Sequence, residues 1–181
     1  IVSQAKLAKN KLIVDYAQIS SNYIDLTKAE KYLKNQNNVF VENLEIISMK
    51  GNINSLAADE FMLNNFEFDG NYKNNILNVK KFSADIFNGK VGGNLTLNVV
   101  NQKVRADLVL KSLNVRALSN RLKQYSIAAS GKLSALIGVD FVGFDFDEIV
   151  RTFDGYIKFN IDDGELSQFA KLERLLQAGN I

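Results

Sequence analysis

Residues 94–110 read NLTLNVVNQKVRADLVL. Leu95, Leu97 and Val99 alternate with Thr96 and Asn98. Beyond Val100-Asn101-Gln102-Lys103, Val104, Ala106, Leu108 and Leu110 alternate with Arg105, Asp107 and Val109. A strand points successive side chains to opposite faces, so each run presents one apolar face. Two such runs joined by a short polar connection predict an antiparallel hairpin.

The same period recurs on both sides. Leu133, Ala135, Ile137, Val139 and Phe141 place five apolar groups on one face of a long strand, and Ile157, Phe159 and Ile161 alternate with Lys158 and Asn160. Phe82, Ala84 and Ile86 precede Asn88-Gly89, a turn signal because both residues tolerate positive φ. That turn leads to a strand starting near Val91. Two phase slips interrupt the pattern. Phe61 and Leu63 are odd-numbered while Phe66 and Phe68 are even; Leu77 and Val79 are odd while Phe82, Ala84 and Ile86 are even. A slip of one residue turns the rest of a flat strand to the wrong face. A bulge or a turn near Asn64-Asn65 and near Lys80-Lys81 restores it.

Helices are few, and each follows a strand. Thr27-Lys28-Ala29-Glu30 matches a capping box and predicts a helix to about Lys34. Asp145 to Glu148 predicts a short helix to about Phe153. Val115–Lys123 places Leu118 and Leu122 on one helical face. At the end of the chain Leu166, Phe169, Leu172, Leu175 and Leu176 form a stripe at helical spacing behind the acidic start Asp162 to Glu165, which predicts a terminal amphipathic helix. The strand-to-helix switch near Asp25, Asn114, Asp145 and after Ile161 is a weak internal repeat. No Pro-rich, Ser-rich or long charged linker divides the chain, so residues 1–181 read as one mainly β (β-rich α+β) unit.

Composition narrows the chemistry. The 181 residues carry a net charge of +2, with 46% hydrophobic and 23% charged residues and no His, Cys, Trp or Pro. Basic residues are scattered among acidic ones, which is not the footprint of a nucleic-acid binder. Catalytic triads built on His or Cys, and the common zinc sites, are excluded. Among the remaining carboxylates, Asp145 to Glu148 reads as helix capping. Asp162-Asp163-Gly164 reads as a turn, since it lacks the further spaced oxygens of a calcium loop. Gly92-Gly93 lacks the helix and the Lys-Ser/Thr ending of a phosphate loop and reads as a bulge or a close strand approach. Asn94-Leu95-Thr96 matches a glycosylation acceptor, a pattern too common to decide anything. Lys80-Lys81-Phe82 reads as charge on the wet face of a sheet. No run reaches the roughly 18 apolar residues of a membrane span. The chain begins at Ile1 rather than Met, and the expectation is a fragment with any anchor or signal upstream.

The candidate site is therefore the apolar faces themselves: Phe82, Ala84, Ile86, Leu95, Leu97, Val99, Val104, Ala106, Leu108, Leu110, Leu133, Ile137, Val139, Phe141, Ile157, Phe159 and Ile161. Their alternation serves an ordinary core and a surface touching acyl chains equally well.

Residues 130–179 resemble the C-terminal region of the AsmA-like bacterial envelope proteins (AsmA, YhdP and TamB type). The resemblance rests on Ser130-Gly131 at a strand start, an alternating strand, a short helix, and then Gly155, Ile157, Phe159, Ile161, Asp163, Gly164 and Leu166 before the terminal helix. NVKKFSADIFNGKVGGNLTLN at 78–98 is similar to the family's hairpin, and ISSNYIDLTKAEKYL at 19–33 to a strand-to-helix segment of its larger members. The resemblance implies a twisted, curled, mostly antiparallel sheet forming a groove, with short helices at strand ends. It implies an apolar lining that carries phospholipid acyl chains between the inner and outer membranes, on the periplasmic side of an inner-membrane anchor outside this fragment. It implies no enzyme activity, no cofactor and no metal, and as partners phospholipid and, through strand pairing, further segments of the chain or envelope proteins. The alternatives are a structural or interaction β-domain with closed faces, and a carboxylate enzyme acting on glycans.

Overall fold

Nine strands lie side by side in the order in which the chain makes them: β1 (Val2–Ala8), β2 (Lys11–Asp25), β3 (Leu44–Ala58), β4 (Phe61–Lys73), β5 (Ile76–Ile86), β6 (Gly89–Asn98), β7 (Lys103–Asn114), β8 (Lys132–Val142) and β9 (Asp154–Asp162). The structure, a computed structural model, describes residues 2–8, 11–28, 43–58, 61–121, 130–143 and 146–164. Every neighbouring pair is antiparallel except β2 and β3, which are parallel. A parallel pair needs a crossover of about a dozen residues or more, which the stretch between Asp25 and Leu44 supplies. The sheet is mainly β, curled and mostly antiparallel, and is not closed into a barrel.

Both phase slips are bulges within continuous strands. In β4, Asn65 has φ 50°, and the pairing with β5 jumps from Asn64–Asp85 to Glu67–Ser83. In β5, Gly70 pairs with Val79 and Asp69 with Lys81, so Lys80 is the extra residue. Against β6 the same step runs from Val79–Leu95 to Phe82–Gly93. Gly93 sits in this tight region at φ 154°, with the Asp107 backbone where a side chain would stand. A third bulge escapes the sequence pattern. Leu110 pairs with Ala135 but Leu113 with Leu133, Ser112 has φ 53°, and its N–H donates to Ser134 Oγ at 3.2 Å. Each bulge keeps the apolar residues on one face while adding local twist.

The turns differ from expectation by one residue. Phe87 (φ 49°) and Asn88 (φ 57°) are the two central residues of the β5–β6 hairpin, and Ile86 pairs with Gly89. Two positive φ values match the right-handed twist of the strands. Gly89 instead opens β6, where an added Cβ would stand 2.5 Å from the Lys111 carbonyl oxygen. The β6–β7 loop is Val99 to Gln102, because Asn98 pairs with Lys103. Asn98 Oδ1 accepts the Val100 and Asn101 N–H groups at 3.0 and 3.3 Å and closes the loop.

Helix starts are set by side chains at strand ends. Asn114 Oδ1 accepts the Ala117 N–H at 2.9 Å and begins α1 (Val115–Arg121). Asp25 Oδ1 accepts the Lys28 N–H at 3.1 Å, so Asp25 rather than Thr27 caps the helical turn at residues 26–28. Glu30 and the rest of that expected helix lie outside the described residues. α2 (Phe146–Thr152) matches its expected span, while its expected cap Asp145 lies outside them. Thr152 Oγ1 accepts the Val142 N–H at 2.9 Å, which ties the end of α2 to the end of β8. Leu122 and the expected terminal helix from Glu165 onward also lie outside the described residues.

Candidate functional site

Register shows which residues share a face. One row across the sheet runs Gly51, Phe68, Phe82, Gly93, Leu108, Ile137 and Ile157 from β3 to β9. The next runs Met49, Gly70, Val79, Leu95, Ala106, Val139 and Gly155, and a third runs Ile46, Tyr72, Leu77, Leu97, Val104 and Phe141. On the other side of the first row, Val91, Leu110, Ala135 and Phe159 continue from Ala84. Directly opposed residues of antiparallel strands point the same way. The face is therefore apolar from β3 to β9.

The sheet is curled, and most of its buried hydrophobic residues lie on this face. Of the buried hydrophobic residues on β3 to β9, Met49, Ile53, Tyr72, Val79, Ala84, Val104, Ala106, Leu113 and Ala135 lie on it, whereas Leu56 and Ala57 are strand neighbours and point to opposite faces. Yet among the described residues no second layer covers this face. Every substantial contact between elements joins neighbouring strands, apart from α1 on β7 and α2 on β8. No large side chain among the described residues is completely shut off from solvent, as expected for a lining rather than a two-layer core.

The expected site residues fall on this lining with one exception. Val99 is in the hairpin loop, its N–H bonded to the Asn75 carbonyl at 2.9 Å. Phe82, Ala84 and Ile86 of β5, Leu95 and Leu97 of β6, and Val104, Ala106, Leu108 and Leu110 of β7 are brought together with Leu133, Ile137, Val139 and Phe141 of β8. Ile157, Phe159 and Ile161 of β9 complete the face, but Ile157 and Phe159 are 62% and 66% exposed. Sequence reasoning left out Met49, Ile53, Phe66, Phe68, Tyr72, Val79 and Leu113. For Phe66, Phe68 and Val79 the signal was present as the phase slips. At the centre, Phe66 lies 5.7 Å from Phe68 and 6.0 Å from Phe82 between ring centroids, and the Phe68 ring fills the space above Gly51.

The opposite face carries the charges. Asp140 meets Arg105 Nη2 at 2.6 Å and Lys103 Nζ at 3.2 Å. Asp85 meets Lys90 at 2.7 Å and accepts from Asn65 Nδ2 at 2.8 Å. The hydrogen bond from Arg105 holds the Asp140 carboxyl below its usual range, and that from Lys90 does so for Asp85. Glu45 is lowered by Lys11, and Asp25 by the Lys28 backbone N–H. An open recess of about 350 Å³ is lined by polar residues including Gln18, Lys50, Asn52, Glu67 and Asp69, together with Gly51, Phe68 and Phe82. Lys80 and Lys81 are exposed, as expected for charge on the wet side.

Among the described residues no cluster of three or more acidic side chains is placed to hold a metal ion, and no helix is long and apolar enough to cross a membrane. Compared with protein-family models, curated proteins and solved structures, the chain shows no significant match.

Proposed function

We propose that this chain is a non-enzymatic lipid-contacting segment whose concave face shelters acyl chains. More particularly, we read it as a periplasmic segment of an AsmA-like envelope protein that moves phospholipid between the inner and outer membranes, its membrane anchor lying elsewhere in a longer chain. The observation that carries this reading is an apolar face continuous across seven strands, from β3 to β9, with no covering layer among the described residues.

The physics requires no directional contacts. Each methylene moved from water to an apolar lining contributes about 0.8 kcal/mol. About ten methylenes along the lining therefore contribute about 8 kcal/mol before the cost of immobilising the lipid. Charged groups pair with one another on the opposite face, outside the lining.

A fluorescent-phospholipid assay tests the reading. Purified protein should extract labelled phospholipid from donor vesicles and raise its emission in proportion to protein added. A folded protein that leaves the emission unchanged overturns it. A second reading, a structural module that recruits a partner strand, is favoured by one observation: edge strand β9 is exposed almost throughout. In that case strand pairing would bring affinity, and the same assay would read zero.

A further inference from the structure

β9 ends the sheet as a regular edge. Its nine residues, Asp154–Asp162, pair with β8 without a register shift. The other edge, β1, shifts register against β2 between Val2 and Gln4 and again between Gln4 and Ala5. Bulges, prolines and repeated lysines blunt an edge against further pairing. β9 has no bulge and no proline, and Lys158 is its one basic residue. Among the described residues no strand pairs with its outer side. Its apolar groups are uncovered as well: Ala135 on β8 is 7% exposed, while its partner Phe159 is 66% exposed and Ile157 62%.

We infer that β9 binds β9 of a second copy of this chain, antiparallel, across a two-fold axis. The charges of the strand choose both partner and register. β9 reads DGYIKFNID, with a cation at its middle and an acid at each end. Paired with its copy over the full length, it would set Lys158 against Lys158 and Asp154 against Asp162, and like charges directly opposed destabilise a sheet. Slid until Asn160 meets Asn160, it sets Lys158 against Asp162 twice. The same register sets Phe159 against Ile161 twice, on the side of the lining. Opposite charges and aromatic–β-branched pairs stabilise neighbouring strands. Lys158 faces Leu136 on β8 and makes no ion pair among the described residues, so its charge is available to the copy. A two-fold pairing is self-complementary and closes on itself, so assembly stops at a dimer. The apolar face then continues from one copy into the next.

The inference holds with or without lipid in the lining, and its test does not read lipid. Analytical ultracentrifugation of the 181-residue chain should show a reversible rise from 20.2 kDa to twice that mass as concentration increases. Lys158→Glu, which sets acid against Asp162, should weaken the dimer about tenfold or more, and Lys158→Glu combined with Asp162→Lys should restore most of it. Asp162 also faces Lys132 on β8, so far-UV circular dichroism establishes that each variant keeps its strand spectrum, and the register has a separate readout. The chain has no cysteine, so Asn160→Cys should form a disulfide-linked dimer on mild oxidation. Tyr156→Cys lies on the same face but about 26 Å from its counterpart at roughly 3.3 Å per residue, and should form several-fold less. A chain that stays monomeric, a dimer indifferent to Lys158→Glu, equal linking at positions 160 and 156, or masses that grow past two copies would overturn the inference, the last by making the contact head-to-tail.

Discussion

Deleting Lys80 should be far milder than deleting Ser83 three residues away, although both shorten the same strand. Lys80 is the extra residue of the β5 bulge. Without it, Val79, Lys81 and Phe82 alternate regularly, Lys81 still faces Asp69, and Phe82 still faces Phe68 and Gly93. No side chain changes face, so the expected cost is lost twist, under about 1 kcal/mol, in the range of a surface change. Deleting Ser83 breaks the parity instead. Either Ala84 and Ile86 turn outward and Asp85 inward, or the bulge is used up and Phe82 exchanges places with Lys81. In the second case a half-buried Phe leaves the lining at about 1.5 kcal/mol, and a Lys enters it at about 1–3 kcal/mol. The difference is about 3 kcal/mol, which at roughly 2 kcal/mol per molar urea moves the midpoint by about 1.5 M. Urea titration followed by circular dichroism measures both variants. Equal midpoints, or a lower midpoint for the Lys80 deletion, would refute the assignment of faces.

Leu113→Ala should cost about 2–3 kcal/mol, the low end for a buried Leu, because Leu113 is 3% exposed but no second layer among the described residues covers it; urea titration reads this. Gly51→Val should displace the Phe68 ring that fills its space and lower the midpoint, with partial recovery in Gly51→Val combined with Phe68→Ala. Asp140, Asp85, Glu45 and Asp25 all have folded pKa values below their ordinary ones. Such groups add stability above the unfolded value and lose it as pH falls through the folded one. Stability should therefore be level with respect to these groups above about pH 5 and fall below about pH 4; Arg105→Ala should flatten part of that fall, as thermal melts across pH will show.

Most of the fold was written in a period of two. β6, β8 and β9 could be read directly, because each carries an alternating apolar set between turn residues. Two bulges were visible as parity errors at Asn64-Asn65 and Lys80-Lys81, but parity alone does not separate a bulge from a turn. The bulge at Ser112 was hidden because Leu110 and Leu113 also fit the start of a helical spacing leading into α1. β2 and β3 were harder still. Their polar runs, Gln18 to Asn22 and Lys50 to Asn54, dilute the alternation, and their parallel pairing depends on a crossover that no local pattern announces. Thr27 looked like the better cap by motif, yet the strand ends at Asp25, so the carboxylate there reaches the free N–H first. The lining residues were recognisable as apolar; that they share one face depends on the register across seven strands, a property of the whole sheet rather than of any stretch.

The most direct measurement is the lipid that the protein carries. The 181-residue chain should be purified from bacteria under detergent-free conditions and its extract quantified by mass spectrometry, beside the double variant Leu108→Glu and Ile137→Glu, which places two carboxylates side by side in the lining. The account predicts phospholipid in near-stoichiometric amount on the unaltered protein and a several-fold loss on the folded variant. Folded protein free of phospholipid, or an equal load on both, would contradict it.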